Sequence, residues 1–341
     1  MSLDVRRRRP LGEQVVVITG ASQGIGRETA LLFGRRGASV VAAARNDVAL
    51  RTLVEAIERV GGHAEAVVTD VTDYGALERL ADRAIDRFGR IDTWINDAAV
   101  SVYAGVAELE PEEMDRVVRV DLLGQMFGSK VAVARMRPQG RGTIINVGSA
   151  LSERAVPLQS AYVAAKHGVA GFTEALRLEL KESAPGIDVV LILPSSIDTP
   201  LFNFARSKLG VMPMPVPPVY EPVAVAEAIA HAAEHGGREI VVGGWGKLLI
   251  IGQRLSATML DWYMTQHHRM VRQQATDQPD DPRDNLFEPS TGPGSTRGQF
   301  GDGAKPASLY TRALELHPMR KRLAWAVAAV ASIAFIRKVA T

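Results

Sequence analysis

Residues 15–26 have the sequence VVVITGASQGIG, and this stretch decides the fold of the chain. The first five residues, Val15–Thr19, are apolar or β-branched, which predicts a buried β-strand. A turn with three glycines follows at once, and a helix with one apolar face begins after it. Glycine lets the backbone turn tightly and approach a pyrophosphate, which then lies against the free amides of the helix N-terminus. This order predicts a dinucleotide-binding site, with a purely structural tight turn as the alternative.

Strands and helices alternate along the chain as far as residue 242. The apolar runs predict further strands at 39–43, 63–68, 91–96, 142–147, 187–193 and 239–242. Helical periodicity predicts intervening helices at 47–60, 74–88, 112–137, 159–183 and 223–234. Such alternation gives a parallel sheet with helices on both faces. Together with the glycine turn it predicts the α/β class, a doubly wound parallel (Rossmann) sheet spanning residues 12–245.

The end of the second predicted strand bears on the choice of cofactor. A fold of this kind that selects NAD usually places a carboxylate there, against the ribose 2′-hydroxyl. Here the strand ends in three alanines and Arg45, with no acid before Asp47. An arginine fork suits a 2′-phosphate, so NADP is predicted over NAD. The alternative is that Arg45 only ends the strand.

A hydroxyl, a phenol and an ammonium follow in a pattern that suits proton transfer. Tyr162 and Lys166 are four residues apart in a predicted helix, so their side chains share one face. Ser149 comes just after the predicted strand 142–147. A nearby ammonium favours the phenolate, and a serine hydroxyl can stabilise a carbonyl oxygen that gains charge. Each of the three is also common as an ordinary structural residue.

Taken together, the motifs resemble those of the short-chain dehydrogenase/reductase family over about residues 12–245. The matching positions are Thr19-Gly20-x-x-x-Gly24-x-Gly26, Asp70-Val71, Asn96-x-Ala98, Ser149, Tyr162-x-x-x-Lys166, Pro194 and Thr199. The resemblance implies an NAD(P)-dependent oxidoreductase with Tyr162 as general acid/base, Lys166 on the nicotinamide ribose and Ser149 orienting the substrate. The cofactor contacts implied by the resemblance or by the residues themselves are Gly20, Ser22, Gln23, Gly24, Ile25, Gly26, Arg45, Asp70, Val71, Asn96, Tyr162, Lys166, Pro194, Ile197 and Thr199.

The sequence departs from the family pattern at several positions. The usual Asn-Asn-Ala-Gly is Asn96-Asp97-Ala98-Ala99, the usual Pro-Gly is Pro194-Ser195, and the usual asparagine of the long helix is Asp121. In the family that asparagine holds a water that links the lysine to solvent. Asp121 can accept the same hydrogen bonds and is kept as a candidate catalytic residue. Because of Asp97, Ala99 and Asp121, a catalytically weak dinucleotide-binding sensor or scaffold remains an alternative, and among enzymes the alternative is an NAD-preferring alcohol dehydrogenase.

Composition and local sequence patterns favour some classes of ligand and partner and argue against others. The apolar segment 198–222 predicts a lid over a hydrophobic carbonyl or alcohol substrate. A net charge of +2 over 341 residues gives no reason to expect nucleic acid, and the absence of cysteine excludes disulfides. His267 and His268 are adjacent, so they do not share a helix face, and metal binding is not expected. Members of the family pair through helices equivalent to 112–137 and 159–183, which implies a homo-oligomer.

Both ends of the chain extend beyond the predicted domain. Residues 1–11 form a basic arm with no signal-peptide core, so a cytoplasmic location is expected. Residues 246–272 predict an amphipathic helix, 273–308 a flexible linker and 309–341 C-terminal helices. Within 320–338, the apolar run 323–336 has a helical length of about 21 Å, against a hydrocarbon core of about 30 Å. Both a membrane anchor and docking on protein therefore remain open for this run.

Overall fold

The structure is a computed structural model, and it describes residues 8–317 and residue 320. Within these residues the strands are β1 Val15–Thr19, β2 Ser39–Ala44, β3 His63–Val68, β4 Thr93–Asn96, β5 Val102–Tyr103, β6 Gly142–Val147, β7 Ile187–Pro194, β8 Arg206–Ser207, β9 Val211–Pro213, β10 Glu239–Val242 and β11 Ala275–Pro279. The α-helices are α1 Gly24–Arg35, α2 Asp47–Glu58, α3 Tyr74–Phe88, α4 Pro111–Val118, α5 Gly124–Gln139, α6 Ser160–Ser183, α7 Leu201–Phe204, α8 Pro222–His235, α9 Gly244–Leu255, α10 Ala257–Thr265 and α11 Arg269–Arg272.

Seven of the strands in the described part of the chain form one sheet with the order β10-β7-β6-β4-β1-β2-β3. Every neighbouring pair in this sheet is parallel. The chain builds outward from β1 to β3, then crosses back to β4 and builds in the other direction. Such a reversal leaves a crevice at the carboxyl ends of β1 and β4, where ligands bind in open α/β sheets. The predicted doubly wound fold is confirmed.

Apolar side chains fill both spaces between the sheet and its helices. On one face, β1 and β2 pack against α1, α2 and α8, with Phe33 and Ile229 fully buried. On the other face, α3, α5 and α6 cover the sheet around the fully buried Trp94. Every position of β1 is buried, because a strand covered on both faces meets a helix on each side.

The long helix expected at 112–137 contains a wider turn. Helices α4 and α5 are joined by a π-helical turn, Arg119–Leu123, which carries the fully buried Asp121. Oδ1 of Asp121 accepts a hydrogen bond from the amide of Val100 at 2.8 Å. A π turn inserts an extra residue into the helix and is frequent at functional sites. Here it lies where Asp121 approaches the loop after β4.

The C-terminal extension differs from its expected form. The single amphipathic helix expected at 246–272 is divided into α9, α10 and α11, with a break at Ser256, whose side chain accepts from the Met259 amide at 3.3 Å. The segment 273–308, expected to be a flexible linker, lies against the domain in the structure. β11 pairs with β9, and Leu286 is fully buried in the core. The segment has little apolar periodicity. Hydrogen bonds to its backbone carbonyls and the burial of Leu286 hold it on the domain.

The two ends are described only in part. Arg8 pairs with Asp188, and Nε of Arg9 lies 3.3 Å from Asp92, so this end of the basic arm is tied to the domain. At the other end, only part of the segment 309–341, predicted to form C-terminal helices, is described, and this part contains a π-helical turn, Thr311–Glu315. The apolar run 323–336 lies outside the described residues. Within residues 8–317, no helix is long and apolar enough to cross a membrane.

Candidate active site

A cleft opens at the carboxyl edge of the sheet, where the fold places a ligand crevice. Most of the residues predicted from sequence line it: Gly20, Ser22, Gln23, Gly24, Ile25, Arg45, Asp70, Val71, Ser149, Tyr162, Lys166, Pro194, Ile197 and Thr199. Three predicted residues, Gly26, Asn96 and Asp121, do not line it. The glycine turn lies between Arg45 and Asp70 on one side and Tyr162 and Lys166 on the other. An elongated ligand can therefore reach all of these groups.

The glycine turn is shaped by close backbone contacts. Gly20 has φ +75°, and an added Cβ there would lie 2.7 Å from the Ala98 nitrogen. Gly24 has φ +56°, and its Cβ would lie 3.2 Å from the Thr199 side chain. Glycine alone adopts these angles without strain and leaves the space open. The resulting concave backbone at the start of α1 fits a dinucleotide pyrophosphate.

Charged side chains mark the end of the cleft next to β2 and β3. Nη2 of Arg116 donates to Asp70 at 2.9 Å, and the other carboxylate oxygen of Asp70 accepts from the amide and hydroxyl of Thr72. Burial opposes ionisation of Asp70, but these hydrogen bonds outweigh it and lower its pKa. Arg45 donates to the backbone carbonyls of Phe287, at 2.6 Å, and of Asn285. The C-terminal extension thus reaches the residue expected to choose the cofactor.

The hydroxyl, phenol and ammonium meet at the other end of the cleft. Ser149 has an extended backbone, and its Oγ accepts from the Leu151 amide at 3.1 Å, at the start of the 3₁₀ turn Ala150–Ser152. The side chain of Ser149 also hydrogen-bonds that of Tyr162. Nζ of Lys166 donates to the Val147 carbonyl at 3.1 Å and lies 5.4 Å from the centre of the Tyr162 ring. A strand end and the first turns of α6 bring the three groups together.

Two carboxyl groups share this end of the site with Lys166. Burial raises the pKa of Asp97 to about 8 and that of Asp121 to about 7, although the charge of Lys166 and one backbone amide each act in the other direction. Oδ2 of Asp121 lies 4.0 Å from Nζ of Lys166 and has no hydrogen-bond partner among the described residues. Both carboxyl groups thus bind protons more readily than exposed ones.

The pKa of Tyr162 is raised, which differs from the lowering expected beside an ammonium. Burial is the main cause, and the negative charges of Asp121 and Asp97 add to it, while the hydrogen bond with Ser149 acts in the opposite sense. The two carboxyl groups oppose the effect of Lys166 on the phenol. The phenol is therefore held in its protonated form, ready to donate.

Replacement of Asp121 with asparagine is expected to change how stability depends on pH. The folded pKa of about 7 lies above the ordinary value of about 3.9, so the folded state holds a proton that the unfolded state releases. The free energy of unfolding contributed by this group therefore falls as the pH rises from about 4 to 7. The free energy of unfolding of Asp121→Asn, measured in urea and compared with wild type, should increase by on the order of 1–3 kcal/mol when the pH is raised from 5 to 8.

The matched control for this prediction is Asp115→Asn, on the same helical run. Asp115 pairs with Arg119 at 2.7 Å, and both side chains are more than half exposed. Removal of an exposed ion pair should change stability by less than about 1 kcal/mol at either pH. The raised pKa would be contradicted if the difference in free energy of unfolding between Asp121→Asn and wild type were the same at pH 5 and at pH 8.

Asn96 and Gly26, which were expected to contact the cofactor, are not among the residues that line the cleft. Asn96 is buried, and its side chain donates to Ser129 at 3.1 Å and Asn146 at 2.8 Å. An added Cβ on Gly26 would lie 2.5 Å from the Gly20 carbonyl oxygen, so this glycine allows the turn to close on itself. Both residues support the cleft from below.

The extension supplies cleft residues that the sequence argument missed. Trp245 and Leu249 of α9, four residues apart on one helix face, line the substrate end. Met270 and Gln274 do so as well, and Asn285, Pro289 and Ser290 line the opposite end. The sequence predicted an amphipathic helix at 246–272, but no local pattern indicated what this helix packs against. Within the described residues, no group of three or more His, Asp or Glu side chains could hold a metal ion.

Comparisons with known proteins agree with the geometry of the cleft. The family model for short chain dehydrogenases matches residues 14–210. The uncharacterized oxidoreductase YxnA of Bacillus subtilis is 37% identical over 308 residues, which cover 89% of this chain and 86% of that protein. A 3beta-hydroxysteroid dehydrogenase of Mediterraneibacter gnavus is 35% identical over 190 residues, covering 55% of this chain and 68% of the other.

A solved structure gives the same result in three dimensions. Actinorhodin polyketide ketoreductase with NADPH superposes with a TM-score of 0.62 at 29% identity, covering 70% of this chain and 98% of that chain. The residues matched by the family model include six of the seven strands of the sheet, the glycine turn and the helix that carries Tyr162 and Lys166. The chain therefore belongs to the short-chain dehydrogenase/reductase family and is a dehydrogenase or reductase that uses a nicotinamide dinucleotide.

Proposed function

We propose that this enzyme interconverts a carbonyl and an alcohol by hydride transfer with NADP(H), on an apolar substrate. The observation that carries the proposal is the cleft itself. Ser149, Tyr162 and Lys166 meet at one end of it, and Arg45 lines the other, with the glycine turn between them. This arrangement suits a ligand with a reactive ring at one end and a phosphorylated ribose at the other.

The residues of this chain divide the work of carbonyl reduction. When bound, the dinucleotide would supply or accept the hydride. The Tyr162 hydroxyl, protonated and hydrogen-bonded to Ser149, donates a proton to the carbonyl oxygen, and it takes the proton back in the reverse direction. The Ser149 hydroxyl also stabilises the charge that develops on that oxygen. Lys166, held by the Val147 carbonyl, keeps a positive charge beside the phenol.

The lining of the substrate end supports an apolar substrate. Leu201, Phe202 and Met214 of the predicted lid lie here, and Trp245, Leu249 and Met270 of the extension complete the wall. Pockets with mostly apolar walls and a few placed polar groups favour ligands that bury apolar surface. The similarity to a steroid dehydrogenase is consistent with this class of substrate.

The proposal is tested with a panel of ketones and aldehydes of graded apolar size. Oxidation of NADPH is followed by the loss of its absorbance, and NADH is run in parallel. We expect turnover to favour NADPH and bulky apolar carbonyls over small polar ones. Turnover with NADH alone would favour the NAD-dependent alternative, and binding of dinucleotide without turnover on any substrate would favour the sensor or scaffold.

Replacement of Arg45 with alanine is expected to weaken NADPH binding much more than NADH binding. Hydrogen bonds to a charged group contribute about 1.5–3 kcal/mol, which corresponds to about 10–100-fold in the NADPH dissociation constant. Binding is measured by nucleotide fluorescence. The control is Arg51→Ala on α2, an exposed arginine paired with Asp47, which should leave both affinities unchanged. Equal losses for the two nucleotides in Arg45→Ala would exclude the assignment.

Pairing of two copies through α5 and α6 is part of the proposal. Leu178 on α6 is 57% exposed in the single chain, as expected for a residue on a face that a second copy covers. Light scattering of the full chain tests it, and a mass equal to one chain at micromolar concentration would exclude this assembly.

A further inference from the structure

Residues 285–295 lie across the end of the cleft that is lined by Arg45, and we call this segment the strap. Its members Asn285, Pro289 and Ser290 line the cleft directly. The carbonyls of Asn285 and Phe287 accept from Arg45, and the carbonyl of Ser295 accepts from the Gly24 amide at 2.8 Å. The strap therefore covers the region between the phosphate-binding arginine and the first amide of α1.

The strap is held firmly at its two ends. At the start, Leu286 is fully buried, its carbonyl accepts from Arg116 at 3.0 Å, and the preceding Asp284 pairs with Arg206 at 2.9 Å. Just past the other end, Arg297 pairs with Glu221 at 2.6 Å. These contacts determine where the segment leaves and rejoins the domain.

Between its ends the strap is held mainly by polar contacts. Nδ2 of Asn46 donates to the carbonyls of Ser290, at 2.6 Å, and Gly292, at 3.1 Å. The Thr52 hydroxyl donates to the carbonyl of Pro293 at 2.6 Å. Water competes well for such contacts, and segments with few buried apolar groups open at low free-energy cost. The middle of the strap can therefore lift while Leu286 stays in the core.

We propose that the strap gates exchange of the dinucleotide. The donors it uses are ones that a phosphorylated dinucleotide needs, since Arg45 faces the expected 2′-phosphate and Gly24 opens the helix that receives the pyrophosphate. A nucleotide entering or leaving this end of the cleft must displace the strap. This inference rests on the proposed NADP(H) chemistry, but it concerns the rate of exchange and not the reaction.

A single methyl group tests the gate. An added Cβ on Gly294 would lie 2.3 Å from the Ser22 carbonyl oxygen, so Gly294→Ala pushes the strap off the glycine turn. The matched control is Gly292→Ala in the same strap. Gly292 also has a positive φ, +93°, but no atom lies within 4 Å of its added Cβ. Both positions have a positive φ, at which a Cβ strains the backbone, but only the Cβ of Gly294→Ala also meets a neighbouring atom and forces the strap to move.

Stopped-flow fluorescence of NADPH on the full chain provides the readout. We expect Gly294→Ala to raise both the association and the dissociation rate, on the order of tenfold, with Gly292→Ala close to wild type. Thr52→Val, which removes one strap contact from outside the cleft, should change both rates in the same direction by less. If circular dichroism shows that Gly294→Ala does not fold, Thr52→Val still tests the gate.

The other outcomes each overturn the gate. Equal rates in Gly294→Ala and Gly292→Ala would mean that the strap does not limit exchange. Faster dissociation with unchanged association would make the strap a contact of the bound nucleotide, not a barrier to its entry. If wild type and both glycine variants bind neither NADPH nor NADH, the proposed function fails, and the gate fails with it.

Discussion

Replacement of Tyr162 with phenylalanine is expected to lower turnover by about 10²–10⁴-fold while NADPH binding stays near wild type. The substitution removes one oxygen and keeps the ring, which lies 5.4 Å from Nζ of Lys166. The lost hydroxyl is the proton donor of the proposed reaction, and its hydrogen-bond partner is Ser149. Steady-state rates with the best carbonyl of the panel measure the effect, and fluorescence titration measures nucleotide affinity.

Tyr220→Phe is the matched control for this prediction. Tyr220 is also buried, but it lies beside Gly243 and does not line the cleft. Loss of its hydroxyl should change turnover by less than about tenfold, because it touches no reacting group. Turnover of Tyr162→Phe within the range of this control would remove Tyr162 from the mechanism.

Replacement of Ser149 with alanine should lower turnover by about 10²–10³-fold, the usual cost of removing a donor to a developing oxyanion. The Ser149 oxygen already accepts from the Leu151 amide, which orients the hydroxyl hydrogen away from that amide and towards the cleft. Ser149→Ala also deprives the Tyr162 phenol of its hydrogen bond. The loss should appear mainly in kcat, because the contact strengthens as the carbonyl oxygen gains charge.

Ser149→Thr is the conservative comparison for this second prediction. The backbone of Ser149 is extended, with φ −161° and ψ 162°, and β-branched residues favour this conformation. The threonine keeps a hydroxyl and should retain much more activity than alanine does. If the alanine and threonine variants lose turnover equally, the fall reflects altered packing of the 3₁₀ turn and not the lost donor.

The buried acids give this site an unusual balance of charge. Nζ of Lys166 lies 4.0 Å from Asp121 and 5.4 Å from the centre of the Tyr162 ring, and its charge also acts on Asp97, so the ammonium has three neighbouring groups. Because both carboxyl groups bind protons near neutral pH, the charge around Tyr162 changes over the range in which enzymes of this kind are assayed. Asp121→Asn therefore bears on the pH dependence of turnover as well as on that of stability.

The central features of this protein follow from local sequence alone. A run of β-branched residues followed by glycines determines β1 and its turn, because both depend on contacts between near neighbours in the chain. Tyr162 and Lys166 share a helix face because they are four residues apart, and Ser149 lies two residues beyond the end of β6. These features predicted the fold and the cleft, and most of the site residues predicted from the sequence line it.

Other features were decided only by the tertiary structure. Asn96 lies at a predicted strand end, but contacts with Ser129 and Asn146 from other elements turn its side chain beneath the cleft. The burial of Asp121, and with it the raised pKa, depends on the loop that packs over the π turn.

The strap is the clearest case of what the sequence does not reveal. It binds Arg45 and Gly24 through backbone carbonyls, which every residue carries, so no side-chain pattern marks the contact. Its partners are more than two hundred residues away in the chain, as the separation of 242 between Arg45 and Phe287 shows. Local sequence preferences determine the strand, the turn and the helix that form the site. Long-range packing of a segment without a marked side-chain pattern determines what lies across the end of the cleft.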